Sequence, residues 1–314
     1  MQKTPTYLVI GANGFVGSHI VDKLAEQGVR VRAFDRFSRA PQFREHPNIE
    51  VIKGDFFDDN ALRSAIVGVD YVLHSFSATT PFISDSNPYI DITDNLMRSV
   101  KIFDICASEG IKKIGFISSG GAVYGSLAEQ KVATTEDDPA LPVSPYGINK
   151  LAIECYLEYF KRKHGTDYVV YRLTNPYGPR QIAKNKQGVI PTFLERIKKN
   201  EEITIYGDGT TSRDYIFCED AAAMITNSFM RDTKHSLYNI GSGKQTSLNE
   251  IIDALRELVP GDIKVTYADE PKTFLHRTGV NVERFVTEFG QPQLTSLHDG
   301  LTAVLAAVPE PHDR

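Results

Sequence analysis

Cysteine is scarce: Cys106, Cys155 and Cys218 are the only three among 314 residues. They are far apart and odd in number, so they build no disulfide framework and have no metal-ligand spacing. A reducing, cytoplasmic setting is expected. No stretch approaches the roughly 20 apolar residues of a membrane span, and Met1-Gln-Lys-Thr-Pro-Thr-Tyr7 holds no apolar signal core. There is no long basic run, and the formal net charge is -5, which excludes nucleic acid as the main partner. A negatively charged substrate would need locally placed cations. Repeats and low-complexity segments are absent as well. The tail Pro309-Glu-Pro-His-Asp-Arg314 is polar and is expected to fray.

What the chain does have is an ordinary globular composition, 41% hydrophobic and 24% charged, in a length that suits one large domain or two interleaved ones. Short apolar runs alternate with helical patterns. Tyr7-Leu-Val-Ile10, Val29–Phe34, Ile49–Ile52, Tyr71–His74, Ile114–Ile117 and Tyr168–Arg172 read as strands. Ser18–Gln27, stopped by Gly28, and the stretches at about 60–67, 93–109 and 147–163 read as helices. This alternation implies parallel βαβ units with right-handed crossovers. After Asn175 the texture changes, and Pro, Gly and Lys become frequent up to Gly209. A strand–helix pair over Arg213–Phe229 is expected to return to the sheet. The reading is therefore a first domain over 1–174, rejoined by 213–244, and a smaller one from 175–212 and 245–314.

Two helices carry apolar residues on more than one face: Leu96, Val100, Ile102, Phe103 and Ile105 on one, Leu151, Ile153, Tyr156, Leu157 and Phe160 on the other. One face covers the sheet. The second needs either local loops or another subunit, which points to a homodimer.

Gly11-Ala-Asn-Gly14-Phe-Val-Gly17 follows the first strand and opens the first helix. Glycines there permit a tight turn and close approach of a pyrophosphate to the helix N-terminus. Asp35, at the end of the next strand, can bind both hydroxyls of an adenosine ribose and would repel a 2′-phosphate, which favours NAD over NADP. Arg36 argues the other way, since an arginine there can bind that phosphate. Asp55, after the third strand, is either an acceptor for the adenine amino group or a turn or N-cap aspartate.

Tyr146-Gly-Ile-Asn-Lys150 puts a phenol and an ammonium on one helical face. A tyrosine pKa near 10 falls when an ammonium lies beside it, at about 1.4 kcal/mol per unit. The phenolate can then take a proton from an alcohol as hydride leaves the same carbon.

Taken in order, the glycine motif, Asp35, Ser118-Ser-Gly-Gly-Ala-Val-Tyr-Gly125, Tyr146-x-x-x-Lys150, Asn175-Pro-Tyr-Gly-Pro-Arg180 and Arg213-Asp-Tyr-Ile216 resemble the NAD-dependent epimerase/dehydratase family, with most likeness to its UDP-glucose 4-epimerase branch. The resemblance spans about 6–305. It implies an α/β fold with a Rossmann-type doubly wound parallel sheet and a smaller α/β substrate-binding domain. It further implies NAD as cofactor, a UDP-sugar as substrate, Tyr146 as general base and Lys150 as the group that lowers its pKa. Around the cofactor it implies Gly11, Gly14, Phe15, Val16, Gly17, Asp35, Arg36, Asp55, Phe56, Ser77, Asn95 and Ser118, with Tyr146 and Lys150. No metal is implied.

The family's usual serine or threonine before the Val-Tyr-Gly motif is replaced by Gly120. Ser119 is the nearest substitute for the hydrogen bond to the reacting oxygen; alternatively Ser118 and Ser119 finish the strand or touch the cofactor. For the substrate, the resemblance implies Asn175, Arg213 and Arg277 on the diphosphate, chemistry that suits amide donors and guanidinium forks. The alternatives are a turn-stabilising asparagine and a surface ion pair. Gly188-Val189-Ile-Pro191 and Tyr206 match segments around the base, Tyr206 as a stacking face or else a core aromatic. Thr79-Thr80-Pro81 either contacts the hexose or is solvated loop. Arg277-Thr-Gly-Val280 lacks the family's usual acid, which leaves sugar size open.

The reaction implied is 4-epimerisation through a 4-keto sugar. Dehydration is disfavoured because Gly120, Gly121 and Ala122 stand where dehydratases carry an acid/base pair. A reductase or decarboxylase stays open. A non-catalytic dinucleotide sensor would be expected to lose Tyr146 or Lys150.

Overall fold

The computed structural model describes residues 4–182, 188–269 and 276–307. The polar tail at 309–314 lies outside the described residues. Among the described residues thirteen strands are formed: β1 (Thr6–Ile10), β2 (Arg30–Asp35), β3 (Ile49–Lys53), β4 (Tyr71–His74), β5 (Lys113–Ser119), β6 (Asp167–Leu173), β7 (Asn175–Tyr177), β8 (Ile203–Tyr206), β9 (Ser212–Phe217), β10 (Leu237–Ile240), β11 (Gln245–Ser247), β12 (Val265–Ala268) and β13 (Arg277–Thr278).

Seven of them make one parallel sheet in the order β10-β6-β5-β4-β1-β2-β3. Its central strands are mostly apolar because both faces are covered; all five residues of β1 are buried. One face packs on helices Phe15–Glu26 and Cys218–Phe229 through Ile20, Leu24, Ala221 and Ile225. The other packs on Asp59–Ile66, Arg98–Ser108 and Pro145–His164 through Leu62, Ile102, Phe103, Ile153 and Leu157. This is a Rossmann-like α/β fold. Strand order reverses between β1 and β4, and ligands of such sheets bind outside the carboxyl ends of the strands at that point.

The smaller unit holds a sheet of β11, β9 and β13, with β7 also on β9, and the pair β8–β12. Its core joins helices Val189–Lys198, Leu248–Leu258 and Leu297–Ala307. The strand–helix pair over 213–229 divides between the units. Its helix packs on Phe15–Glu26 and β10 returns to the large sheet, but β9 pairs with β7, β11 and β13. A strand reading cannot tell which sheet receives the strand, because pairing partners are remote in sequence.

The helix expected at 93–109 is broken into a π-helical turn, Ile92–Met97, and the α-helix Arg98–Ser108. Of the apolar residues named on these helices, Ile102, Phe103, Ile105, Ile153, Leu157 and Phe160 are buried in the core under the sheet, Leu96, Val100 and Leu151 are half-buried, and Tyr156 is exposed. Among the described residues no helix is long and apolar enough to cross a membrane.

Candidate active site

The glycine loop sits at the β1/β4 reversal. Gly11 has φ +85°, and a Cβ there would lie 2.8 Å from the Phe76 backbone; one on Gly17 would lie 2.0 Å from the Gly11 carbonyl. Only glycine fits either place. Gly14 N-caps helix Phe15–Glu26 without a side-chain hydrogen bond, so no side chain caps the first-turn amides. Phe15 and Val16 begin this helix, half-buried. The Asp35 carboxylate turns back toward the loop, accepting from the Asn13 amide at 2.9 Å and the Arg36 amide at 2.7 Å, while the Arg36 side chain is exposed. A helix N-terminus without a Cβ in the way, beside an anchored carboxylate, fits a dinucleotide's pyrophosphate and ribose.

Reading the sequence alone missed Asn13 and Arg39. The Asn13 side chain donates to the Arg39 and Ala40 carbonyls and accepts from the Gln42 amide, and Arg39 Nη2 donates to the Asn13 carbonyl. The one signal available was an asparagine inside the glycine motif.

Several expected cofactor residues, and the expected substrate residue Thr80, have their side chains engaged elsewhere. The Phe56 ring is buried and stacks on Phe76, centroids 4.1 Å apart. Asp55 closes an Asx turn on the Phe57 amide, and Asp58, not Asp55, caps helix Asp59–Ile66. Ser77 donates to the Thr79 carbonyl, and Thr80 caps helix Pro81–Ser86 through the Ile83 amide. The Asn95 amide accepts from the Ala78 N–H and donates to Thr79 Oγ1 and Asp91. Ser118 donates to Glu154 at 2.5 Å, so its hydroxyl is spent inside the fold.

Ser144 caps helix Pro145–His164 by accepting from the Gly147 amide, with Pro145 in the first turn. Tyr146 and Lys150 thereby line one narrow space with Asp91, Asn95, Asn149 and Ile153. Lys150 Nζ donates to the Ile117 carbonyl at 2.9 Å and lies 4.7 Å from the Phe116 ring centroid and 5.7 Å from that of Tyr146. Burial pushes Lys150 down to about 8, against the pull of Asp91 and Glu154. Tyr146 keeps part of its surface open but is closely surrounded, and burial, aided by the Asp91 charge, pushes its phenol up. The expected lowering by Lys150 is therefore not found among the protein groups alone. Desolvation of the anion outweighs an ammonium held back on a backbone carbonyl.

Ser119 Oγ accepts from the Ala122 amide, capping the turn Gly120–Val123, and retains its own proton to donate. At Gly120 a Cβ would lie 3.0 Å from the Arg172 carbonyl and 3.1 Å from Val280, so a hydroxyl-bearing side chain there would need its neighbours to give by a few tenths of an ångström. The same turn presses on helix Pro145–His164, since a Cβ on Gly147 would lie 2.5 Å from the Ala122 carbonyl.

On the small unit, Asn175 Nδ2 donates to the Asp214 carbonyl at 3.0 Å, joining β7 to β9. Arg213 Nη1 donates to the Ser212 and His276 carbonyls. In the β9–β13 register Thr278 stands beside Arg213 and Arg277 beside Ser212, one residue out of step. Val189 opens helix Val189–Lys198. Tyr206, at the end of β8, is 46% exposed and not a core aromatic. Among the described residues no group of three or more His, Cys, Asp or Glu side chains can hold a metal ion.

A family model described as the NAD dependent epimerase/dehydratase family matches residues 7–241. The chain belongs to the NAD-dependent epimerase/dehydratase family. Among family members, the UDP-glucose 4-epimerase of Thermotoga maritima, solved with UDP-glucose, superposes with a TM-score of 0.88 at 32% identity, over 96% of this chain and 98% of that one. The UDP-glucose 4-epimerase of Mycolicibacterium smegmatis is 31% identical over 87% of this chain and 86% of its own. The dTDP-glucose 4,6-dehydratase of Streptomyces griseus is 30% identical over 96% and 94%. This epimerase/dehydratase family member is thus an enzyme of the extended short-chain dehydrogenase/reductase type, with relatives that epimerise and relatives that dehydrate.

Within this family member, two buried polar groups beside Tyr146 and Lys150 were not legible in the sequence. Asp91, 1% exposed, accepts from four side chains. Glu154 binds Arg172 beneath Lys150. No local spacing announces either, since the partners come from other elements.

Proposed function

We propose that this enzyme interconverts UDP-hexoses at C4 through a transient 4-keto sugar, with NAD retained through the cycle. One observation carries the reading: Tyr146 and Lys150 lie together beside the carboxyl end of β5, on a helix pressed by a Ser119–Val123 turn that offers no carboxylate. That turn is where a dehydratase would need its acid/base pair.

Tyr146 takes the C4 hydroxyl proton as general base and gives a proton back to the same oxygen once the 4-keto sugar has turned over in the site. Bound nicotinamide supplies the hydride acceptor and donor and adds positive charge near the phenol. Lys150 and that charge together must offset the burial that holds the phenol protonated, about 1.4 kcal/mol for each unit. Ser119 donates its free proton to the reacting oxygen, and Thr80 borders the hexose. Asn175 donates to the diphosphate and Arg213 and Arg277 neutralise it, since an acidic protein can attract such a group only through local cations. Val189 and the open Tyr206 ring flank the uracil. Gly11, Gly14, Gly17 and Asp35 seat the dinucleotide. We assign the protein to the cytoplasm and to a homodimer formed through the outer face of helix Pro145–His164, where Ile148, Tyr156 and Tyr159 are 53%, 41% and 48% exposed.

Incubation with a panel of nucleotide-sugars, followed by chromatographic separation of epimers with mass detection, tests the reading. The expected product is a 4-epimer of unchanged mass with no net change in reduced-nicotinamide absorbance. Loss of water from the sugar, or stoichiometric NADH formation, would replace epimerisation by dehydration or oxidation.

A further inference from the structure

Asp91 ends a one-turn helix, Pro88–Asp91, and the π-helical turn Ile92–Met97 follows it directly. π-Turns are rare and recur at functional sites. A carboxylate offers only acceptors, and burying one is costly unless donors surround it. Here four donors do. Thr79 Oγ1 and Asn95 Nδ2 donate to Oδ1; Ser84 Oγ donates to Oδ2 at 2.9 Å and Asn149 Nδ2 at 2.7 Å. All four partners are buried. Three of them come from the segment after β4, and Asn149 comes from helix Pro145–His164, next to Lys150. The cluster borders the narrow space that Tyr146 and Lys150 line.

We propose that Asp91 is a positioning residue for the proton transfer: through Asn149 it ties the substrate-side loop after β4 to the catalytic helix, and its charge sets the electrostatic balance of the Tyr146–Lys150 pair. The proposal rests on the assignment of Tyr146 as the base. The charges facing this pair come from three other elements and the helix itself. Asp91 precedes the π-turn, Glu154 follows Lys150 on its own helix and is neutralised by Arg172 of β6, and His74 ends β4. His74 carries no charge near neutrality, since burial and Lys150 push it down to about 3. Asp91 is thus the anion of this set without a cationic partner of its own; its bonds go to neutral groups, so its field reaches Tyr146 and Lys150. The Asp91 field holds Lys150 as ammonium and holds the Tyr146 proton in place, a brake that the nicotinamide charge must release.

The test is a spectroscopic titration of the NAD-loaded protein. The tyrosinate absorbance of Tyr146 is isolated by subtracting the matching Tyr146→Phe protein. In Asp91→Asn the Tyr146 midpoint is expected about one pH unit lower, with the basic limb of the kcat/KM profile displaced the same way. Should Asp91→Asn fail to fold, Asn149→Ala keeps the charge and removes one donor, and its midpoint is expected to rise. A midpoint unmoved in a folded Asp91→Asn, or one unmoved or lowered in Asn149→Ala, overturns the proposal and leaves Asp91 a structural staple. The titration needs no substrate. A protein that shows the shift but turns over no nucleotide-sugar would sink the functional reading and leave this one standing.

Discussion

Arg172 of β6 grips Glu154, one helical turn beyond Lys150, through Nη2–Oε2 at 2.7 Å and Nε–Oε1 at 3.2 Å, with both side chains almost wholly buried. Ser118 at the end of β5 donates to the same carboxylate, and the Tyr124 ring covers the guanidinium at 4.7 Å. The pair therefore clamps helix Pro145–His164 to two neighbouring strands just below Lys150. A buried ion pair is weak evidence of net stabilisation, but removing one partner strands the other charge. Glu154→Ala is expected to cost roughly 3–5 kcal/mol in denaturant unfolding. A loss under about 1 kcal/mol, the value of a surface pair, would mean that water reaches the site.

Lys150 gives stability a definite pH dependence. Its ammonium is disfavoured in the fold, down to about 8 from the ordinary 10.5. Below about 8 the residue is charged in both states and the full desolvation penalty applies. Between 8 and 10.5 the unfolded chain holds the proton and the fold does not, so stability rises with pH across that window. The total is about 3 kcal/mol. Unfolding of the cofactor-free wild type, referenced at each pH to Lys150→Met, should show that rise. A flat difference would place the ammonium in water.

Tyr146→Phe removes the only oxygen on that side chain and little volume. Turnover of the nucleotide-sugar is expected to drop by about 10²–10⁴, while NAD stays with the purified protein. Parallel assays of product formation and retained dinucleotide check both halves. Wild-type turnover in the variant would remove the assigned base.

Asp35 is held by two backbone amides on the loop side of β2. Asp35→Ala should weaken NAD by more than it weakens NADP, because the carboxylate supports ribose hydroxyls and repels a 2′-phosphate. Calorimetric titration with each dinucleotide decides the matter; equal losses would leave cofactor choice to Arg36 and its neighbours.

Much of the large unit was legible from local pattern. Apolar runs with helical stretches between them marked all seven parallel strands but β10, and the edges moved by a residue or two. Gly28, with φ +75°, ended the first helix as a glycine stop should. The glycine loop and the Tyr-x-x-x-Lys pair were legible because their meaning lies in spacing along one element. The phenol's charge environment was not. The spacing put an ammonium beside it, whereas the fold spends Lys150 on the Ile117 carbonyl and sets Asp91 nearby.

By itself the sequence determined the alternation of strands and helices, the glycine positions and the helical face shared by Tyr146 and Lys150, since these depend on backbone sterics and periods of a few residues. Only the tertiary structure decided that β9 joins the small sheet, that Tyr206 stands open, that Ser118 serves Glu154, and that Asp91 meets Asn149. Those outcomes hang on which distant groups are buried together. Burial makes an unpaired donor or acceptor costly, and no local period records the partner that satisfies it.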